Sequence, residues 1–138
     1  MPTTVLSPPE ALIYAMVTTS AVDNQMSDTE LARIGATVKE LPAFAGFDPD
    51  TIILHAQACG SMVSGPDGLE MVLSAIAEAL PANLYETAYA LAADVAASDT
   101  RLRLEERRFL DLLAGALDLD KLTCAALERA AKARNRRL

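Results

Sequence analysis

The sequence predicts an all-α fold, a single-domain bundle of about seven helices with an internal helical-hairpin duplication. Three observations carry that prediction. Apolar residues recur at steps of three and four, not two, along nearly the whole chain. The breaks between periodic stretches fall at Pro, Gly and helix-capping residues. An acidic signature also occurs twice, Asp23 to Glu30 and Asp99 to Glu106, with an apolar Met26 or Leu102 three residues after each Asp. The copies are 76 residues apart, and at the same offset Glu10 meets Glu86, Ala21 meets Ala97 and Leu41 meets Leu117.

Ser7 followed by Pro8 and Pro9 reads as a cap with prolines in the first turn, opening a helix to about Ser20 whose apolar set includes Leu12, Ile13, Ala15, Met16 and Val17. Ser27-Asp28-Thr29-Glu30 is an S-x-x-E capping box, and Leu31, Ile34, Val38 and Leu41 then line one face of a second helix that must end near Pro42. Pro42 to Pro49 reads as a connector pinned by Phe44 and Phe47, after which Asp48-Pro49-Asp50 starts a third helix through Ile52, Ala56, Cys59 and Val63.

The turn Ser64 to Gly68 separates that helix from a fourth, marked by Leu69, Val72, Ile76 and Leu80. Pro81 closes the fourth and can begin the fifth, over 82–97, with Tyr85, Ala88, Leu91, Ala92 and Val95. A turn at Ser98 to Arg101 precedes a sixth helix defined by Leu102, Phe109, Leu113 and Leu117. A seventh starts near Asp120, carries Leu122, Ala126 and Leu127, and dissolves into Arg134-Asn135-Arg136-Arg137. Residues 8–130 thus read as the helical domain and 131–138 as a basic C-terminal tail.

At 138 residues and 51% hydrophobic content, the chain can bury a core without disulfides. Cys59 and Cys124 lack Cys-x-x-Cys spacing and read as small apolar residues in a reducing compartment. No secretory leader or spanning segment is legible, so a cytoplasmic protein is expected. Residues 1–100 carry 13 acids against Arg33 and Lys39, a net −11, whereas 101–138 carry a net +4. The acidic body should repel nucleic acid, and no nucleic-acid partner is expected.

Each signature Asp falls at the end of one predicted helix and each Glu in the first turn of the next. If the two hairpins pack about a pseudo-twofold, the carboxylates converge, with Asp94 as a fifth acid. Crowded carboxylates need a shared proton or a cation, and hard oxygen ligands suit Ca²⁺, Mg²⁺ or Mn²⁺. The expected metal site is therefore Asp23, Glu30, Asp94, Asp99 and Glu106. A second reading stays open beside it, in which the same acids only cap helices, each worth about 0.3–1 kcal/mol. Glu105 is expected to be solvated. An EF-hand loop is excluded, because counting from Asp94 puts Ala96 and Asp99 where that loop needs an oxygen ligand and a glycine.

The two copies, Val22-Asp23-Asn24-Gln25-Met26-Ser27-Asp28-Thr29-Glu30 and Ser98-Asp99-Thr100-Arg101-Leu102-Arg103-Leu104-Glu105-Glu106, resemble the A-D-G-x-I-x-x-x-E signature of TerB-like domains, the tellurite resistance protein TerB family. Leu117-Asp118-Leu119 is similar to that family's closing L-G-L, while Asn24 and Thr100 stand where its signature has glycine. The resemblance implies a non-catalytic, compact bacterial helical domain with an acidic metal-binding cluster. It would act in tellurite resistance or a related stress response beside protein partners, membrane-associated ones included.

Other chemistry is poorly supplied. His55 and Cys59 share a helix face but lack the further ligands zinc requires. With one histidine in the chain, His-based triads and His-ligated dimetal sites have no material. Gly65-Pro66-Asp67-Gly68 is a turn, lacking the Lys and Ser/Thr of a phosphate loop. The alternative to the metal-binding domain is a metal-free helical interaction module with an apolar groove between helices.

Overall fold

The computed structural model describes residues 5–21, 26–98 and 104–138. These form seven α-helices and no strand among the described residues: α1 Pro8–Ala21, α2 Asp28–Glu40, α3 Ile52–Ser64, α4 Gly68–Ala79, α5 Tyr85–Ala97, α6 Leu104–Ala116 and α7 Lys121–Arg134. Short 3₁₀ turns at Pro42–Phe44, Pro49–Thr51 and Ala82–Leu84 join them, each containing or following a proline. No described helix is long and apolar enough to cross a membrane.

The caps follow the sequence closely. Ser27 Oγ accepts from the Glu30 amide while Glu30 accepts from the Ser27 amide, completing the α2 capping box. Ser7 and Glu10 exchange the same pair of bonds at the start of α1. Asp120 caps α7 through the Thr123 amide, which holds its carboxyl below the usual range. Asp67, at φ +52°, turns the chain so sharply that a Cβ on Gly68 would lie 2.2 Å from the Val63 carbonyl oxygen, so only glycine fits there.

Helix α1 is the centre of the bundle. Every residue from Ala11 to Ser20 is buried, and α1 packs against α3, α4, α5 and α6. A helix apolar on all sides has no solvent face to keep polar. Two of its hydroxyls find partners inside the bundle: Thr19 donates to the Ala15 carbonyl at 2.7 Å, and Thr18 Oγ1 lies 3.2 Å from Cys59 Sγ. Full burial of Leu12, Ile13 and Met16 stabilises the fold by about 1.5–3 kcal/mol each.

Helix α5 is the second core helix, packed between α1 and α7. Helix α7 runs through residue 131, where the basic tail was expected to begin, because Ala131 is fully buried and continues the helix. The helix boundaries echo the 76-residue offset: α2 maps onto α6 end to end, and α1 onto α5 with one residue fewer at the start.

Candidate functional site

The five expected metal ligands divide into three groups. Asp23 and Asp99 lie outside the described residues, as does most of the turn expected at Ser98 to Arg101. Glu106 stands in the first turn of α6 and is buried, 5% exposed, whereas Glu105 beside it is solvated. Glu30 and Asp94 come together as lining of one cavity of about 330 Å³ under α2, α5 and the end of α7. Met16, Ile34 and Leu91 line its apolar part, and Arg33, Ser98 and Arg134 contribute polar groups.

Both carboxylates in that cavity have protein partners. Glu30 serves the α2 capping box and accepts a short hydrogen bond from the Ser20 hydroxyl at the end of α1. Asp94 accepts from Arg134 Nη2 at 2.7 Å and Nε at 3.2 Å, which ties α5 to the last turn of α7. Among the described residues, no group of three or more His, Cys, Asp or Glu side chains is placed to hold a metal ion. Glu30 and Asp94 are the described acids that a cation in this cavity would use.

A second polar cluster was not anticipated. Tyr89 is fully buried and donates its hydroxyl hydrogen to Glu128, which is also gripped by Arg107 through Nη1 at 2.6 Å and Nη2 at 3.0 Å. Arg107 further reaches Asp111 at 2.9 Å and the Tyr89 oxygen at 3.3 Å. The paired guanidinium holds the Glu128 carboxyl below its usual range, while burial, then Glu128, pushes the Tyr89 hydroxyl up. Through Tyr89, Arg107 and Glu128 the cluster fastens α5, α6 and α7 to one another. The sequence shows only the i, i+4 spacing of Arg107 and Asp111; nothing in it links either residue to Glu128 or Tyr89.

The cysteines are both free and buried, in keeping with their expected apolar role. Burial pushes the Cys59 thiol up to about 11, the opposite of an activated nucleophile. His55 points from α3 toward the start of α1, its Nε2 3.5 Å from Glu10 and its ring 5.6 Å from that of Phe47. Phe47 in turn meets Phe44 edge-on at 6.1 Å, the aromatic pin expected in the connector.

An extended concave surface lies between α2 and α3. Two hollows, of about 910 and 610 Å³, share Asp28, Leu31 and Ile53 and run along the pair of helices. Their walls are largely small or apolar: Ala32, Gly35 and Ala36 on α2, and Ala56 and Gly60 on α3. Exposed acids Asp28, Glu40 and Asp50 also line it, with Lys39 the base among them. Helix α3 carries no Asp, Glu, Lys or Arg, yet buries only Ile52 and Cys59 and leaves Ile53 and Leu54 54% and 65% exposed.

No protein-family model, curated protein or solved structure matches the chain.

Proposed function

We propose that this chain is a non-catalytic helical interaction domain that docks a protein partner along the groove between α2 and α3. The observation that carries this reading is the half-naked α3, free of Asp, Glu, Lys and Arg, whose exposed Ile53 lines both hollows. Contiguous exposed apolar surface is costly to leave in water and marks contact sites. The polar groups available elsewhere support a binding role: the Tyr89–Arg107–Glu128 cluster is locked, and the cysteines are buried. A photo-crosslinking residue at position 53, set against the same residue at solvated position 105, tests the reading in cells that produce the chain. A discrete protein adduct at 53, lost when Leu31→Glu is added, is the expected result. Equal labelling at both positions would sink it.

A second reading is the TerB-like domain with an acidic site for Ca²⁺, Mg²⁺ or Mn²⁺, acting in a cytoplasmic, stress-linked bacterial pathway. It is favoured by Glu30 and Asp94 lining one cavity, and by the two hairpins agreeing in boundary at the 76-residue offset. It takes the hairpins as diverged copies of one unit. Its test is the unfolding temperature of EDTA-stripped protein titrated with each cation, beside the Asp23→Asn, Asp99→Asn double variant. A saturable rise confined to the unmutated protein is expected, equivalent to about 2.7 kcal/mol at 100 times the dissociation constant. A flat response to all three cations would remove the metal from the account.

A further inference from the structure

We infer that the α2–α3 groove takes a basic amphipathic helix of a partner protein, an inference that rests on the docking role proposed above. Three features specify this occupant. The wall of small residues, Ala32, Gly35 and Ala36 on α2, lets a second helix approach closely, and Ile53 and Leu31 supply the apolar contact. Helix α2, at 13 residues, is about 20 Å long, a track for a helix of about 14 residues.

The third feature is charge. Asp28 stands in the first turn of α2 and Glu40 at its end, Asp50 lies in the 3₁₀ turn that leads into α3, Lys39 is the base set against these three acids, and residues 1–100 as a whole carry a net −11. An apolar seam edged by carboxylates is complementary to a helix with an apolar stripe flanked by Lys or Arg, and it repels an acidic one. The like-charge cost against an acidic helix gives the groove its selectivity.

The test uses two synthetic helical peptides with the same leucine stripe, one filled out with lysine and the other with glutamate. Binding is followed by fluorescence anisotropy, and the contact surface by amide chemical shifts. The lysine peptide should bind, with shifts confined to α2 and α3. Ile53→Asp should weaken it about tenfold or more, although that change adds a negative charge. Ala36→Asp, at an exposed position on the opposite wall, should do the same, and Glu105→Gln on α6 should change nothing. Circular dichroism confirms that each variant keeps its helix content.

Tighter lysine-peptide binding by Ile53→Asp and Ala36→Asp would mean attraction to the acidic body at large, and would overturn both the inference and the groove. Equal, Ile53-dependent binding of the glutamate peptide would leave the groove as a docking site but overturn the basic partner. A concentration-dependent dimer in sedimentation, abolished by Ile53→Asp, would make the occupant a second copy and likewise overturn it.

Discussion

The α1–α2 and α5–α6 hairpins share helix boundaries at one offset but are held by different chemistry. Each core helix carries a further helix on its flank, α3 on α1 and α7 on α5. In the first half that attachment is mainly apolar: α1 buries ten consecutive residues, Thr18 meets the buried Cys59 of α3, and His55 meets Glu10 near the start of α1. In the second half it is ionic and partly exposed, because α7 is gripped through Glu128 and Arg134. The difference is legible at positions 76 residues apart. Ile13 corresponds to Tyr89, and Thr18 to Asp94. Bulk is exchanged as well: Leu12 and Met16 on α1 correspond to Ala88 and Ala92 on α5, all four buried, while Ala15 corresponds to Leu91. Core volume can be redistributed between facing elements in this way without changing the fold. The first half should therefore respond to changes of volume and the second to changes of charge.

The largest expected effect is on the volume side. Ile13→Ala removes a fully buried side chain from the most enclosed helix and should cost about 2–5 kcal/mol. Urea unfolding at neutral pH gives the value. The comparison breaks if this variant is no less stable than Tyr89→Phe, which keeps nearly all of the side-chain volume and deletes only the bond to Glu128. The expected cost of Tyr89→Phe is about 1–3 kcal/mol, the range for hydrogen bonds to charged groups and for a buried group left short of a partner.

The same network sets a pH dependence of its own. Glu128 is depressed, chiefly by its hydrogen bonds from Arg107, so its contribution is complete above the ordinary glutamate pKa of about 4.3 and is lost as pH falls through the folded value. Tyr89 is raised, chiefly by burial, so its contribution is complete below about pH 10 and is lost as pH rises. Stability measured across that range should therefore decline on both flanks. Glu128→Gln should shallow the acid flank and Tyr89→Phe the alkaline one; parallel curves for all three proteins would detach the network from the pH response.

What the sequence disclosed follows the same division. Helix number, the α2 capping box, the proline-bounded turns and the aromatic pin at Phe44 and Phe47 were all legible, because each depends on residues within a few positions of one another. The central place of α1 was not, since Thr18, Thr19 and Ser20 read as polar until their hydroxyls are seen to be satisfied inside the bundle. The Tyr89–Arg107–Glu128 cluster joins residues 18 to 39 positions apart, and no local period encodes it. Of the acids singled out in the sequence, Glu30 and Asp94 line one cavity, but the sequence could not supply their partners Ser20 and Arg134. The exposed face of α3 was hidden by its own pattern. Ile52, Ala56, Cys59 and Val63 suggest a stripe facing inward, yet Ala56 and Val63 are only half-buried and Ile53 and Leu54 lie outside it.

The smallest expected effect bears most directly on what the acids do. Asp94 and Arg134 are 35% and 53% exposed, so their ion pair should be worth only about 0.2–1 kcal/mol in a double-mutant cycle of Asp94→Ala and Arg134→Ala, shrinking as salt is added. Arg134 also stands in the last turn of α7, where a cation opposes the negative end of the helix dipole. Arg134→Ala alone should thus free the end of α7, visible as faster amide exchange over its last turn, with little change at Thr18 and Cys59 in the other half. If Asp94 serves only to hold α7, Asp94→Ala should reproduce that fraying and leave the response to cations unaltered. A loss of cation-dependent stabilisation in Asp94→Ala that Arg134→Ala does not share would give this carboxylate a second task, and would carry the asymmetry between Asp94 and Thr18 from architecture into function.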